Sequence, residues 1–272
     1  MIATGSACLA STISLGSASN YAVLGIGSFL AGDPAGVIKK SNVVITGNMG
    51  IGYGGSLINT APASIIGDVF QYQGGQYIGP GALNGSLTAN SALLNQNYAD
   101  AMSASTQAAA LNATQTFGNI GSATTIVGNG GLNVIQINGN ITNSLILSGG
   151  ANDEFVVNVA GTLNLTGSTV LGLNGGVRAG NVIYNFTSSG QTITTQAGSA
   201  VSGTLLAVHD DFQLAGSIMG EIIGGGSIVL MSGAKVLSGG TLPEPSTFAL
   251  LGLGLLSVVC FGGRRLRSMN SL

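Results

Sequence analysis

Short runs of branched apolar residues, separated by segments rich in Gly and Asn, recur along most of the chain. Most runs span three to five residues, and many alternate apolar with polar side chains, which is typical of β-strands with one buried face. The Gly and Asn residues between them tolerate the positive φ angles of tight turns. The predicted strands lie at residues 43–45, 65–66, 134–137, 145–147, 155–159, 163–165, 182–186, 192–194, 204–208, 212–214 and 228–230.

The spacing of these runs favours a parallel β-helix. From Val134 onward they recur roughly every 8–12 residues, so two or three of them would make a rung of about 20 residues. An up-and-down barrel or a sandwich also fits strands of this spacing. Hairpin signals such as Asn-Gly are often not flanked by matched long strands, and Gly-rich repetition suits stacked rungs, so the β-helix is the predicted fold.

One segment departs from the strand pattern. Residues 86–113 contain neither Gly nor Pro, are rich in Ala, and place apolar side chains at spacings of three, four or seven. This pattern predicts an amphipathic α-helix, with Ser86 or Thr88 as its N-cap. Its apolar stripe, which includes Tyr98 and Met102, should pack along one wall of the solenoid.

The composition supports one large β domain. Hydrophobic residues make up 45% of the chain and charged residues only 6%, which argues against disorder. The 46 glycines do not fall at every third position as they do in collagen. Cys8 and Cys260 would lie in different compartments, so neither a disulfide framework nor a cysteine metal site is expected.

The charge pattern excludes one class of partner. The basic side chains before residue 243 are Lys39, Lys40, Arg178 and Lys235, and the formal net charge of the chain is −2. No basic patch is available to pair with phosphates, so nucleic acid is not an expected partner.

The C-terminal 30 residues form a separate unit. Pro243, Glu244 and Pro245 are followed by an apolar stretch at 247–263 without a charge. Some 17 helical residues span roughly 26 Å, the short end of a membrane crossing. Arg264, Arg265 and Arg267 then follow as a membrane stop that holds the C-terminus in the cytoplasm.

The order of these features resembles the PEP-CTERM sorting signal, with Pro243, Glu244 and Pro245 as the sorting motif. The resemblance implies a Gram-negative bacterium that exports the chain, holds it transiently in the inner membrane by this helix, and processes it with an exosortase. The mature protein would then be released or attached at the cell surface. An ordinary single-pass anchor is the alternative.

The domain boundaries follow from these elements. Residues 1–19 are small and apolar but lack a basic n-region, so we interpret them as a signal-peptide remnant or the result of a wrongly assigned start. Residues 20–240 are expected to form the β-solenoid domain, and residues 241–272 the sorting signal with its transmembrane helix.

The main domain also resembles a known family. Residues 15–24 (LGSASNYAVL), 147–157 (LSGGANDEFVV), 174–184 (NGGVRAGNVIY) and 201–207 (VSGTLLA) are similar to the ice-binding-like β-helix family and to related bacterial surface adhesion domains with varied anchors. The resemblance implies an irregular parallel β-helix with one long α-helix packed alongside. It does not by itself assign an activity.

The best candidates for a contact surface are threonines. Ice binding requires a flat face with a regular lattice of Thr or similar side chains, but no T-x-T ladder is sustained across the predicted rungs. We hypothesise that the outward side chains around Thr162, Thr166, Thr192 and Thr194, with neighbouring Thr195, form the contact face.

Catalysis and metal binding are poorly supported. His209, Asp210 and Asp211 are expected to mark an exposed turn, because adjacent aspartates in a strand point to opposite sides and no nucleophile elbow accompanies them. Asp153 and Glu154 offer oxygen ligands for Ca²⁺, but the nonapeptide repeat is not matched and a solvated turn is favoured. No cofactor, metal or catalytic residue is therefore assigned.

Together these features predict an exported, non-enzymatic β-solenoid with an adhesive or structural role at the cell surface or in the extracellular matrix. Expected partners are an exosortase, the inner membrane, and a polysaccharide, a surface protein or ice. Ice binding is the alternative function. A polysaccharide-acting β-helix enzyme is the third, and Asp210, Asp211, Arg178 and His209 are the only groups that would serve it.

Overall fold

The computed structural model describes residues 13–238, and these residues are mainly β. Their strands form three sheets of ten, nine and seven strands, in which all neighbouring strands are parallel. An up-and-down barrel or hairpin sandwich is excluded, since both need antiparallel neighbours. A parallel β-solenoid with one long α-helix is confirmed. The predicted transmembrane helix at 247–263 lies outside the described residues.

The strands are short and numerous, and every run predicted from the sequence falls on one of them. The strands are β1 (Tyr21–Gly25), β2 (Val37–Ser41), β3 (Val44–Thr46), β4 (Asn48–Ile51), β5 (Ser56–Thr60), β6 (Ser64–Ile66), β7 (Val69–Gln71), β8 (Gln76–Ile78), β9 (Ala82–Asn84), β10 (Leu87–Ala89), β11 (Gln115–Phe117), β12 (Thr124–Val127), β13 (Leu132–Ile137), β14 (Leu145–Gly149), β15 (Glu154–Val159), β16 (Asn164–Leu165), β17 (Val170–Gly175), β18 (Val182–Phe186), β19 (Thr192–Thr195), β20 (Ala200–Ser202), β21 (Thr204–Ala207), β22 (Asp211–Leu214), β23 (Ser217–Met219), β24 (Ile222–Gly224), β25 (Ile228–Leu230) and β26 (Lys235–Leu237). The helices are α1 (Ser91–Ala110) and two 3₁₀ turns, Gly16–Asn20 and Ala179–Asn181.

Each full turn of the solenoid visits the three sheets in a fixed order. The chain passes from the ten-stranded sheet, here called the helix-side sheet, to the seven-stranded sheet and then to the nine-stranded sheet, as β4, β5 and β6 illustrate. A glycine follows the nine-stranded sheet at several corners. A Cβ atom on Gly67 would lie 2.4 Å from the Gly47 carbonyl oxygen, and one on Gly220 would lie 2.1 Å from that of Gly203. These corners therefore need residues without a side chain.

The order of turns along the stack does not follow the chain. Strands β1 to β10 build outward from the middle to one end, and β11 to β26 begin at the other end and build back. The two halves join where β1 pairs with β24, β2 with β25 and β3 with β26. We call this junction the seam. It makes the rung order irregular, as the family resemblance implies.

Each strand of a full turn contributes at least one apolar side chain to the solenoid interior. Ile38 of β2, for example, is fully buried between its register partners Ile228 and Leu57. At about 25 cal/mol per Å² of apolar surface removed from water, such stacked side chains are the main stabilising contribution. Because both neighbours of a strand belong to other turns, each turn is stable only when stacked.

The helix begins later than predicted. Residues 87–89 form β10, which pairs with β7, so neither Ser86 nor Thr88 is the N-cap. The Asn90 side chain instead accepts a hydrogen bond of 3.0 Å from the backbone N–H of Leu93, and the helix starts at Ser91. The prediction was wrong here because the last strand of the outward-building half has no Gly or Pro to separate it from the helix.

The helix lies on the outer face of the helix-side sheet. Its buried side chains are mostly small, as in Ala101, Ala104 and Ala108, and they pack with outward residues of the sheet such as Leu24 and Leu206. Tyr98 and Met102 pack at the margin of the same cluster, as expected. Small side chains allow the helix to lie close to the sheet.

A buried polar network fixes the position of the helix. Asn185 accepts a hydrogen bond from Ser105 Oγ at 2.7 Å and donates to the Ser105 carbonyl and to Asn158. Asn158 in turn donates to the Ala108 carbonyl at 2.7 Å. Burying these amides costs little because each has partners, and their geometry specifies one register of helix on sheet.

Residues 13–19, assigned above to a signal-peptide remnant, pack onto the helix. Ile13, Leu15 and Ala18 are buried in the helix–sheet cluster. Ser17 donates from its backbone N–H and its hydroxyl to Asp100 at 2.8 and 2.7 Å. Residues 13–19 therefore pack as part of the domain. The interpretation of residues 1–19 as a signal-peptide remnant stays a prediction.

Candidate contact faces

The helix-side sheet offers no free outer face over most of its length. Its outward side chains, among them Tyr21, Val156, Ile183 and Ile223, are buried beneath α1. Any broad contact surface of the described residues must therefore lie on the seven-stranded or the nine-stranded sheet.

The structure brings the predicted threonines together on the seven-stranded sheet. Thr192 and Thr194 are outward positions of β19, and Thr162 Oγ1 donates to the Thr192 carbonyl at 2.6 Å. Thr194 pairs with Asn164 of β16, and exposed Thr166 follows that strand. They share one end of the sheet, but a contact role for them stays a prediction.

The neighbouring threonine does not belong to this surface. Thr195 is fully buried, and its hydroxyl donates to the Ala215 carbonyl at 2.7 Å and accepts from the Ala215 N–H at 3.1 Å. The expectation that it faces solvent was wrong, because β19 alternates and Thr195 shares the inward parity of Ile193. Its hydroxyl ties two turns together.

The nine-stranded sheet carries a surface that the sequence analysis missed. Its outward side chains stack in register across the five adjacent strands β20, β23, β26, β3 and β6, in two parallel rows. We call this surface the ladder face, and its rows are Ser202–Met219–Leu237–Thr46–Ile66 and Ala200–Ser217–Lys235–Val44–Ser64.

The ladder face is unusually apolar for an uncovered surface. Ile66, Met219, Leu237 and Val44 expose 46%, 50%, 42% and 41% of their surfaces. Lys235 is the one charged side chain in the two rows, and the rest are small or hydroxylated. Contiguous exposed apolar area on a soluble domain commonly marks an interaction site. The sequence does hold a local sign of this exposed apolar surface. Strands β3, β6, β23 and β26 each have an apolar residue at an outward position as well as at an inward position.

A cleft lies at the edge of the ladder face. It has a volume of about 540 Å³, and its lining includes Met219, Leu237, Ser202 and Arg178, the last from the connection between β17 and β18. No acidic side chain lines it. The cleft thus adds one exposed cation to an apolar and hydroxylated surface.

A second exposed apolar feature is a loop tip between β1 and β2. Phe29 and Leu30 expose 60% and 87% of their surfaces, and the loop is closed by paired backbone bonds between Ser28 and Asp33. Phe29 packs edge-on against Tyr53 at 5.3 Å between ring centroids. The tip residues belong to neither exposed sheet, and the sequence analysis did not identify them.

The candidate catalytic cluster has a structural role. Asp210 is buried rather than in an exposed turn, and it accepts hydrogen bonds from Gln191 N–H at 2.8 Å and from Ser188 Oγ at 3.3 Å. Burial raises the pKa of its carboxyl. Asp211 accepts from Ser227 N–H, while His209 is exposed. The aspartates therefore fasten neighbouring turns, and Arg178 does not join them.

Asp153 is likewise occupied by protein donors. Its carboxylate accepts hydrogen bonds from Gly150 N–H, Gly130 N–H and Asn133 Nδ2 at 2.7, 2.8 and 2.9 Å. Burial opposes ionisation, but these donors outweigh it and lower the pKa of the carboxyl. The expectation of a solvated turn was wrong. Within residues 13–238, no group of three or more His, Cys, Asp or Glu side chains could hold a metal ion.

Two other ionisable side chains, Glu221 and Lys40, are buried, and burial shifts the pKa of each toward its neutral form. Glu221, at the corner between β23 and β24, is 5% exposed, and its nearest partner is Thr204 Oγ1 at 3.5 Å. Burial raises the pKa of this carboxyl to about 8. Lys40 of β2 points into the interior and is 2% exposed, and burial lowers the pKa of its ammonium to about 8.

The sorting motif Pro243, Glu244 and Pro245, and the membrane-stop residues Arg264, Arg265 and Arg267, lie outside the described residues. In the part of the chain that is described, no helix is both long and apolar enough to cross a membrane.

Two family models match the chain. The model of the ice-binding-like adhesive domain matches residues 3–233, and the model of the PEP-CTERM protein-sorting motif matches residues 241–267. The first match covers most of the chain. Both resemblances stated from the sequence are thereby confirmed.

Individual relatives are ice-binding proteins. A stretch of 100 residues is 30% identical to an ice-binding protein of Flammulina populicola, and it covers 36% of this chain. The matched stretch spans 39% of that relative's length.

Solved structures agree on the fold. An ice-binding protein from an Antarctic biological consortium is 26% identical with a TM-score of 0.57, over 82% of this chain and 90% of that one. The ice-binding protein of Antarctomyces psychrotrophicus is 24% identical with a TM-score of 0.59, over 82% and 97% of the chains. One from an Arctic yeast is 19% identical with a TM-score of 0.62, over 86% and 96%.

Proposed function

Because the chain belongs to the ice-binding-like adhesive domain family and carries a PEP-CTERM sorting motif, we propose that it is an exported surface protein with a non-catalytic adhesive domain. In this proposal the segment at 247–263 crosses the inner membrane, and Arg264, Arg265 and Arg267 keep the C-terminus in the cytoplasm. An exosortase then processes the chain at the motif, and the domain reaches the surface or the matrix.

The contact surface in this proposal is the ladder face. The observation that supports it is a row in which Met219 and Leu237 are exposed on adjacent strands and exposed Ile66 follows after Thr46. A monomeric domain rarely leaves such a row uncovered. The apolar side chains of the ladder face can pack against the C–H faces of sugar rings. The hydroxyls of Ser202, Thr46 and Ser217 can bond their polar edges.

The mixture of side-chain sizes favours adhesion over a crystal lattice. Along one row the outward residues change from Ser202 to Met219, Leu237 and Thr46. An uneven surface adapts to polymer chains of varied shape, whereas matching ordered water needs identical groups at each step. A polysaccharide of the matrix or the sugar of a surface protein is therefore the ligand we propose.

Ice binding is the second candidate, and two observations favour it. The parallel strands of the ladder face repeat at about 4.8 Å, a regular spacing that a lattice can match. The relatives and solved structures similar to this chain are ice-binding proteins. The exposed and half-buried threonines on or beside the seven-stranded sheet, Thr162, Thr166, Thr192 and Thr194, are the competing surface for either ligand.

One pair of variants distinguishes the two surfaces. Met219→Lys with Leu237→Lys places charges on the ladder face, and Thr192→Lys with Thr194→Lys does the same on the seven-stranded sheet. We expect the first pair to lower retention on matrix polysaccharide at least tenfold, with the second pair unchanged. All variants should keep the circular dichroism spectrum of the parent chain.

The same variants test ice binding by thermal hysteresis and recrystallisation assays. Activity in the parent chain that the ladder-face pair abolishes would replace adhesion by ice binding at the same surface. Loss only in the threonine pair would move the site to the seven-stranded sheet. Retention unaffected by both pairs would overturn both contact faces.

A further inference from the structure

Two polar side chains stand at paired positions of neighbouring strands inside the solenoid, and each has a polar atom without a hydrogen-bond partner. Lys40 of β2 and Asn59 of β5 are register partners, and they are 2% and 0% exposed. Among the described residues, neither Lys40 Nζ nor Asn59 Oδ1 has a hydrogen-bond partner. Such buried orphans are rare because each costs free energy of desolvation. An adjacent pair of them requires a physical explanation.

The carboxamide of Asn59 is held from the side opposite Lys40. Its Nδ2 donates to the hydroxyl of Tyr77 in β8, the next strand on that side. A Cβ atom at Gly81 would lie 2.2 Å from Asn59 Oδ1, so the carboxamide occupies space that only a glycine leaves free. Lys40, the register partner of Asn59, belongs to the neighbouring turn on the other side.

The length of the Lys40 side chain and its lowered pKa both suit a nucleophile. Neighbouring strands are about 4.8 Å apart, a distance that the four-carbon stem of lysine can span. Burial lowers the pKa of the Lys40 ammonium to about 8, so part of the population is a neutral amine near neutral pH. A desolvated neutral lysine is a competent nucleophile toward a carbonyl carbon.

We propose that Lys40 and Asn59 join in an intramolecular isopeptide bond. Lys40 Nζ attacks Asn59 Cγ, an Nζ–Cγ bond forms and the Cγ–Nδ2 bond breaks. A proton leaves Nζ and one reaches Nδ2, so the nitrogen departs as ammonia. The Tyr77 hydroxyl, which accepts a hydrogen bond from Nδ2, gives its own proton to the leaving nitrogen and regains one in exchange for the proton released from Nζ. One amide replaces another, and no oxidant, reductant or second substrate is needed.

The bond changes the interior in two ways. It replaces a buried amine by a neutral amide, so the burial of a charged or orphaned Nζ is avoided. It also links β2 to β5 covalently, next to the seam through β2 and β25. This property is independent of which ligand the ladder face binds.

Mass spectrometry of the full chain tests the proposal directly. The chain is produced in a host without an exosortase, kept folded in mildly alkaline buffer, then denatured for intact-mass and peptide analysis. We expect a loss of one ammonia and a joined peptide that contains Lys40 and Asn59. Lys40→Met should retain the full mass. Lys39→Met is the matched control, since Lys39 follows Ile38 on the same strand but faces solvent, and it should still lose ammonia.

Two results would overturn the proposal. The first is parent chain that stays folded yet keeps its full mass and yields separate peptides after prolonged incubation. The second is conversion of Asn59 to Asp, which would mean that water rather than Lys40 reaches Cγ. Tyr77→Phe supplies a kinetic readout: the joined peptide should accumulate at least tenfold more slowly than in the parent.

Discussion

The outer faces of the helix-side sheet and the nine-stranded sheet both carry rows of apolar side chains, but only the first is covered. Under α1, apolar residues such as Leu24 are accompanied by fully bonded amides such as Asn185. On the ladder face, Met219 and Leu237 are half-exposed and have no such partners around them. Apolar character alone therefore does not distinguish a packing surface from a contact surface. Buried polar groups with hydrogen-bond partners mark the packing surface.

The largest expected difference concerns one leucine from each face. Leu24→Ala removes a fully buried side chain beneath the helix and should lower the free energy of unfolding by roughly 2–5 kcal/mol. Leu237→Ala on the ladder face should change it by less than about 0.5 kcal/mol. Urea denaturation of both variants measures the contrast. Equal losses would mean that the ladder face is also a packing surface.

The corner between the two sheets should give the chain a distinctive pH dependence. Burial raises the pKa of Glu221 from 4.5 to about 8, so the folded chain keeps a proton that the unfolded chain loses. This contribution is fully present below pH 4.5 and is lost as the pH rises to about 8, an effect on the order of a few kcal/mol. Glu221→Gln should flatten the decline.

Lys40 has the opposite sign in the free-amine form, because its pKa falls from 10.5 to about 8. Its contribution to stability increases as the pH rises from about 8 to 10.5.

The predicted loss of stability through Glu221 is checked by melting temperatures. They are measured for the parent chain and for Glu221→Gln between pH 5 and 8. A parent chain whose stability is constant over that range would contradict the burial of a neutral Glu221.

The smallest expected effect tests the polar network beneath the helix. Asn185→Ala leaves Ser105 and Asn158 with fewer partners and should cost roughly 1–3 kcal/mol. Asn174→Ala on the exposed outer side of β17 is the matched control. It removes only an exposed hydrogen bond from the neighbouring Gly175 N–H, and a change below about 0.5 kcal/mol is expected. Hydrogen exchange of the α1 amides should accelerate only in Asn185→Ala. Acceleration in neither variant would show that the helix is held by apolar packing alone.

Much of the architecture could be predicted from the sequence because alternation and turn residues are local signals. The runs at 134–137 and 182–186 show both, and both are strands. The helix start was misplaced, since nothing in composition separates β10 from α1 and only the Asn90 cap marks the boundary. Local parity could also have placed Thr195 inside.

The ladder face could not be assembled from the sequence in the same way. Its rows join Leu237 of β26 to Thr46 of β3, residues that become neighbours only through the seam. A local pattern identifies an outward apolar residue, but it does not identify the neighbours of that residue when the turns are stacked out of chain order. The contact surface is thus a product of topology, while its building blocks are visible in the sequence.

The seam also affects the order in which strands become available for pairing. A chain is synthesised and exported from its N-terminus, so β1 to β3 emerge early while their partners β24 to β26 are among the last strands to arrive. In the interval the first turn presents an unpaired strand edge, which is a template for joining another copy. The centre of the domain therefore cannot be completed until β24 to β26 are available, and a chain that lacks its last few strands would be left open in the middle rather than at an end.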